Sequence, residues 1–295
     1  MACGFLVLDK PAGLSSHACV GRVRRAYGLK RVGHGGTLDP AVTGVLPIAL
    51  GPATRLLPYL EGDKTYRGVI QLGIRTSSDD LEGEVLDRSA VPALGEGELD
   101  AALAAFRGAF KQVPPQVSAV HVDGERAYAR VRRGETLELA ARAVTIHRLE
   151  LLDWDASSGS LELEVACTAG TYIRSLARDL GEALGCGGSL ARLRRTGALG
   201  FGLDRAVALE ELDQAPPPAL IDPLAALAHL KQQRLDPDQE LGWRCGRLLE
   251  ASPELGTGLQ TGQAVVVVGA DGSLAGMARA VEGGLLQPKL VFNAA

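Results

Sequence analysis

Gly33-His34-Gly35-Gly36-Thr37-Leu38-Asp39-Pro40, continuing after two residues into Thr43-Gly44-Val45-Leu46-Pro47, is the most informative stretch of this 295-residue chain. Glycines at 33, 35 and 36 open backbone angles closed to other residues and let a ligand come close. Pro40 pushes Asp39 toward an extended conformation. One acid is thereby held in a stiffened loop, and residues 45–50 beyond it are apolar enough for a buried strand. A lone carboxylate in such a place is either a loop cap or a working acid, and the local sequence leaves both open.

The surroundings of that acid are basic. Between residues 10 and 60 stand seven bases, Lys10, Arg22, Arg24, Arg25, Lys30, Arg31 and Arg55, against Asp39 alone, a net +6. Residues 79–100 carry eight acids against Arg88, a net −7. The overall charge of −4 hides a segregation of the kind a polyanion-binding face produces on an otherwise acidic protein. The bases at 22, 24, 25 and 30 also suit the solvated face of a helix.

Outward from the loop, residues 5–8 read as a strand. Ser15 or Ser16 can cap a helix that runs to about Tyr27 and stops at Gly28. Residues 65–72 read as a strand and 98–106 as a helix with acids at its start. Residues 144–154 and 161–167 alternate apolar and polar around a turn at 157–160. An amphipathic helix at 171–184 ends at Gly185, and three prolines at 216–218 open a looser segment. Short strands at 264–269, 274–280 and 285–292 follow, divided by Asp271-Gly272 and Gly283-Gly284 turns. The pattern predicts an α+β domain over 1–233 and a small β-rich domain over 234–295.

Several classes are excluded. No apolar run approaches the roughly 18 residues of a membrane span, and the first ten residues lack the charge and apolar core of a signal peptide, so a cytoplasmic protein is expected. Five cysteines without a C-x-x-C argue against a disulfide framework or a cysteine zinc site. There is no G-x-S-x-G, H-E-x-x-H or G-x-x-x-x-G-K-[ST], and the five histidines show no i, i+4 pairing. No metal and no cofactor is expected.

G-H-G-G-T-L-D-P with T-G-V-L-P resembles the catalytic motif of the TruB family, the bacterial tRNA pseudouridine-55 synthases, which usually has Thr where Gly35 stands. Further family landmarks follow in order: Leu8-Asp9-Lys10-Pro11 with Gly13 and Ser15-Ser16, Lys64-Thr65-Tyr66-Arg67, Pro114-Pro115 through Ser118-Ala119, and residues 124–133. After them come Gly170-Thr171-Tyr172-Ile173-Arg174 with Asp179-Leu180-Gly181, Leu193-Arg194-Arg195-Thr196, and a tail around Pro288-Lys289-Leu290 that is similar to a PUA-like RNA-binding domain. Val117 stands where an aromatic is common in the family.

The resemblance implies a pseudouridine-synthase fold: a mixed, largely antiparallel sheet flanked by helices, plus the PUA-like domain. It implies isomerisation of uridine to pseudouridine at position 55 in the T loop of tRNA. Asp39 would be the nucleophile, attacking either the base or the sugar C1′. Arg174 would keep Asp39 ionised, since an arginine within about 4–6 Å lowers a carboxyl pKa by roughly 1–3 units; otherwise it is a helix arginine paired with Asp179 or Asp39 for structure. Tyr66 would stack on the base and serve in proton transfer, unless it is an ordinary strand tyrosine. Leu193 would wall the base, a role compatible with a core position. His34 would fill the space the flipped base leaves, where a core histidine is the alternative. Lys10, Gly36, Leu38, Tyr172 and Arg194 are carried over as further substrate contacts. Phosphate contacts are expected from Arg22, Arg24, Arg25, Lys30 and Arg31, from the arginines of 126–133, and from Arg194 and Arg195.

The expected partner is the T stem-loop of tRNA, bound by a monomer that needs no protein partner. A folding chaperone that binds tRNA without chemistry is the alternative, but a pure binder has no need of Asp39, Tyr66 and Arg174 together. A guide-dependent relative working in a larger complex is disfavoured by the short tail and the insert over 79–110.

Overall fold

A computed structural model describes residues 2–118, 120–122, 124–256 and 258–292. A ten-stranded sheet dominates. Its main path runs Ala206–Ala208, Gly4–Lys10, Thr43–Leu50, Gly188–Ala198, Lys64–Leu72, Ser160–Cys167, Arg142–Asp155, Gly108–Gln112. Gly4–Lys10 lies parallel to Ala206–Ala208, and Thr43–Leu50 parallel to Gly188–Ala198. The other pairings described in this sheet are antiparallel. The expected mixed, largely antiparallel sheet is therefore present.

The first and third strands of the chain are buried on both faces, and their alternation sorts two cores. Leu6, Leu8, Leu46 and Ile48 pack with Cys19, Val20 and Val23 of the Ser16–Ala26 helix. Phe5, Val7, Val45 and Ala49 turn the other way, onto Val266, Val268 and Met277 of the C-terminal sheet. Each Leu, Ile, Val, Phe or Met among them contributes about 1.5–3 kcal/mol on leaving water, so the two sheets share one apolar seam. The helix begins where expected, with the Ser15 hydroxyl accepting from the Ala18 amide at 3.1 Å. The Ile173–Ala183 helix buries Ile173, Arg174, Leu176, Ala177 and Leu180.

The parallel pairing of Thr43–Leu50 with Gly188–Ala198 creates the site. It sets Arg194 opposite Thr43 and Arg195 opposite Gly44. The next strand over sets Tyr66 opposite Arg195 and Gly68 opposite Leu193. Gly44 has φ +101°, and a Cβ there would lie 2.1 Å from the Arg195 carbonyl oxygen. Only glycine lets the two strands close, which accounts for the glycine of T-G-V-L-P.

The C-terminal sheet has five strands in the order Lys231–Arg234, Ala264–Val268, Leu274–Val281, Leu285–Val291, Leu249–Glu250. The three expected strands are present. The first one, Lys-Gln-Gln-Arg, pairs parallel with Ala264–Val268 and carries no apolar pattern. A division between residues 233 and 234 cuts through it, and we propose that the division lies before Lys231. No helix among the described residues is long and apolar enough to cross a membrane.

Candidate active site

The loop of residues 35–42 is fastened by backbone contacts to distant elements. Ser16 Oγ donates to the Leu38 carbonyl at 3.0 Å and accepts from the Leu38 amide at 2.8 Å. Lys10 Nζ donates to the Pro40 carbonyl at 3.0 Å, and the Gly13 amide donates to the same oxygen at 2.9 Å. Arg195 Nη2 donates to the Gly36 carbonyl at 3.1 Å, while its Nε holds Val45 O at 2.7 Å. These anchors, more than the Pro40 restriction read from sequence, fix where Asp39 points.

Two expected roles change here. Lys10 is fully buried, its Nζ shared between the Pro11 and Pro40 carbonyls, so it supports the loop from beneath and has no surface on which substrate could rest. Arg195 is also fully buried and is no phosphate contact. Leu38 is buried at 4% exposure, and its backbone is taken by Ser16; it borders the site through its side chain. Ser16, read from the sequence as a possible helix cap and as part of the N-terminal landmark, carries no expected role at the site, because a serine at a helix start is fully explained as a cap.

Asp39 Oδ2 lies 2.9 Å from Arg174 Nη2. The arginine side chain is 8% exposed and the aspartate 47%, so a sequestered cation presents an open carboxylate. Arg174 also donates to Val117 O at 2.9 Å and Ser78 O at 3.1 Å, with Asp80 Oδ2 at 3.6 Å. Asp179, the other partner considered for Arg174, pairs with Arg178 at 2.8 Å. Val117 thus serves through its carbonyl, which any residue there supplies. Ala119 of the same motif lies outside the described residues.

Asp39 and Arg174 sit where two cavities meet. The smaller, of about 230 Å³, is lined by Tyr66, Leu193, Tyr172, Lys64 and Leu38. The larger, of about 590 Å³, is bordered by Arg67, Arg192, Arg194, Leu81 and Leu193. Leu193 borders both, as a wall between them would. Tyr66 is 6% exposed, and burial pushes its phenol up to about 12, with Arg195 pulling the other way. It is a neutral O–H at neutral pH. Tyr172 is held by Gln112, whose side chain accepts from its amide at 2.9 Å and donates to its carbonyl at 3.1 Å. Arg194 grips Asp9 through both guanidinium ends, at 3.0 and 2.6 Å, at the edge of the larger cavity.

His34 lines neither cavity. It borders a shallow groove with Arg24, Lys30 and Arg31, and burial lowers its pKa, leaving a neutral ring. Gly36, with φ +108°, stands in the chain between His34 of this groove and Thr37 of the smaller cavity. Among the described residues no cluster of three or more His, Cys, Asp or Glu side chains is placed to hold a metal ion.

The glycine at 35 has a steric explanation. A Cβ there would stand 2.4 Å from Leu199 Cδ1. Leu199, itself at φ +55°, occupies the space that the usual threonine would need. Because Leu199 Cδ1 is the end of a flexible, half-buried side chain, Gly35→Thr is expected to destabilise the fold by about 1 kcal/mol or less, the cost of turning that side chain aside. Adding Leu199→Ala should restore much of it. Denaturant titration of the single and double variants checks this, and a loss several times larger for Gly35→Thr would show that Leu199 cannot turn aside.

Residues 24–173 match the model of the TruB family pseudouridylate synthase N-terminal domain, and residues 174–217 match that of the tRNA pseudouridylate synthase B C-terminal domain. A tRNA pseudouridine synthase B of Parasynechococcus marenigrum is 66% identical, covering 99% of this chain and 98% of its own. One from Synechococcus sp. strain WH7803 is 59% identical at the same coverage. Among solved structures, a Cbf5-Nop10-Gar1 complex is similar with a TM-score of 0.73 at 25% identity, covering 98% of this chain and 84% of that one. An H/ACA RNP bound to a substrate RNA containing 2′-deoxyuridine gives 0.72 at 24%, with the same coverage. Family models and close relatives agree over the loop, the helix of Arg174 and the strand of Leu193, and the chain belongs to the TruB family of pseudouridylate synthases.

Proposed function

We propose that this protein converts uridine to pseudouridine at position 55 in the T loop of tRNA, with Asp39 as the nucleophile. The observation that carries the reading is the open Asp39 carboxylate, held at 2.9 Å by a buried Arg174 beside a cavity floored by Tyr66 and Leu193. A uridine stacked in an RNA loop cannot reach that carboxylate, so the base must be flipped out, at a cost of a few kcal/mol. Stacking on Tyr66 in the cavity, and of His34 on what remains outside, returns roughly 1–3 kcal/mol per base.

The geometry supports the following division of labour. Arg174 orients Asp39 and leaves one face of the carboxylate free. The glycosidic bond breaks, the base turns within a space bounded by Leu193 and Tyr172, and C5 bonds to C1′. The neutral Tyr66 hydroxyl can pass a proton without first ionising. The outer groove lined by Arg24, Lys30 and Arg31 would take the phosphate backbone.

Incubating the protein with an unmodified tRNA transcript, without metal or cofactor, and mapping pseudouridine tests the reading. Modification confined to position 55 is expected. Binding of the transcript with no modified uridine would instead make the protein a folding chaperone. Affinity should also fall steeply with salt: six to ten phosphate contacts cost about 10³–10⁵ in affinity between 50 and 200 mM. A flat response in a filter-binding series would remove the phosphate role of the groove.

A further inference from the structure

Two cations near the loop take part in no chemical step of that scheme, although Arg195 also anchors the loop. Arg195 is fully buried, and its Nη1 has no hydrogen-bond partner. Lys64 lines the smaller cavity, and among the described residues its Nζ has neither a hydrogen bond nor an ion pair. The two ends converge. Lys64 Nζ and Arg195 Nη1 are each 3.5 Å from the position a Cβ on Gly36 would take. Glycine at 36 keeps that space open. Lys64 and Tyr66 share a strand face, and Arg195 opposes Tyr66 on the neighbouring strand. Both cations therefore sit around the tyrosine that floors the base pocket.

Among the described residues neither cation forms an ion pair, and Asp39, the carboxylate of the same cavity, is held by Arg174. Burial holds the Tyr66 phenol at about 12 and the neighbouring Cys167 thiol at about 11, so both are neutral. Asp63, next to Lys64 in the chain, faces His147 on the surface at 3.3 Å. Charge held away from water without a counterion is costly; Arg195 is buried and Lys64 half-buried, both at one end of the pocket. Burial and the charge of Arg195 lower the pKa of Lys64, which marks the same conflict.

We propose that Lys64, backed by Arg195, binds a carbonyl oxygen of the flipped uracil and stabilises the negative charge that builds up on the base. This rests on the function proposed above. When the C1′–N1 bond breaks, its electron pair stays with the base, spread over N1 and the carbonyl oxygens. If Asp39 first adds to the base, the displaced pair falls on a carbonyl oxygen as well. The pair is returned when C5 bonds to C1′; the C5 proton leaves and N1 gains one. The isomerisation balances without a co-reactant. A fixed cation at the oxygen acts only while that charge exists, as an oxyanion-hole donor does.

The test is single-turnover kinetics on tRNA carrying uridine or 5-fluorouridine at the target, following loss of the starting nucleoside. Lys64→Met should lower the rate constant on uridine about 10²–10³-fold, the range for loss of one such donor, with tRNA Kd within about twofold. Lys64→Arg should recover to within about tenfold, because it restores the charge. Fluorine lets the base carry negative charge unaided, so the loss on 5-fluorouridine should shrink to about tenfold or less. Equal losses on both substrates would overturn the inference. So would a raised Kd at an unchanged rate, which would make Lys64 a phosphate contact. Thermal unfolding checks that the variant is folded, and Lys64→Gln repeats the comparison if Lys64→Met melts early. Wild-type protein that modifies no uridine defeats the proposed function; full wild-type activity with full-rate Lys64→Met defeats this inference alone.

Discussion

Asp39→Asn is expected to bind tRNA with unchanged affinity and to form no pseudouridine. The substitution is nearly isosteric, and the loop is fastened through the backbones of Gly36, Leu38 and Pro40, none of which it touches. The amide oxygen can still accept from Arg174. What is lost is the nucleophile, and removal of such a group costs about 10⁴-fold or more. Mapping pseudouridine after long incubation reads the rate, and an electrophoretic shift reads the binding. Turnover near wild type would remove Asp39 from the mechanism.

Arg174→Lys keeps the charge and loses the planar fork. The guanidinium serves Asp39, Val117 O and Ser78 O at once, with Asp80 beyond at 3.6 Å. An ammonium on a shorter stem cannot span these positions, so Asp39 drifts from its direction of attack. Misplacement by about 1 Å can cost 10²-fold, and a loss of 10²–10³-fold in rate is expected. Stability should fall as well, by about 1–3 kcal/mol for each carbonyl left without its donor. The rate comes from single-turnover assays and the stability from denaturant titration. Near-normal rates would show that charge alone suffices at this position.

Legibility in the sequence followed the kind of interaction. The Ser15 cap, the alternating strands at 142–155 and 160–167, and the three apolar C-terminal strands were readable because local propensity and burial agree there. Lys231–Arg234 was not, because a strand of polar residues at a sheet edge has no periodic apolar signal. At the site, resemblance supplied Asp39, Tyr66, Arg174 and Leu193, and the fold places these four around one cavity. Lys10 and Arg195 were misread for a physical reason. Charged residues are almost never fully buried, so a lysine and an arginine near a basic stretch look like surface contacts. Their burial is set by carbonyl oxygens of Pro40, Gly36 and Val45, which no side-chain pattern reports.

The fastening of the 35–42 loop has a consequence for the birth of the enzyme. Its anchors come from Lys10 and Ser16 at one end of the chain and from Arg195, 159 positions beyond Gly36. A nascent polypeptide acquires Asp39 early, yet cannot aim it until the Gly188–Ala198 strand has emerged and inserted between two strands already made. Catalytic competence therefore arrives late in synthesis and all at once. In a partly denatured sample it should vanish before helical content does, so turnover is a more stringent gauge of completed folding than circular dichroism.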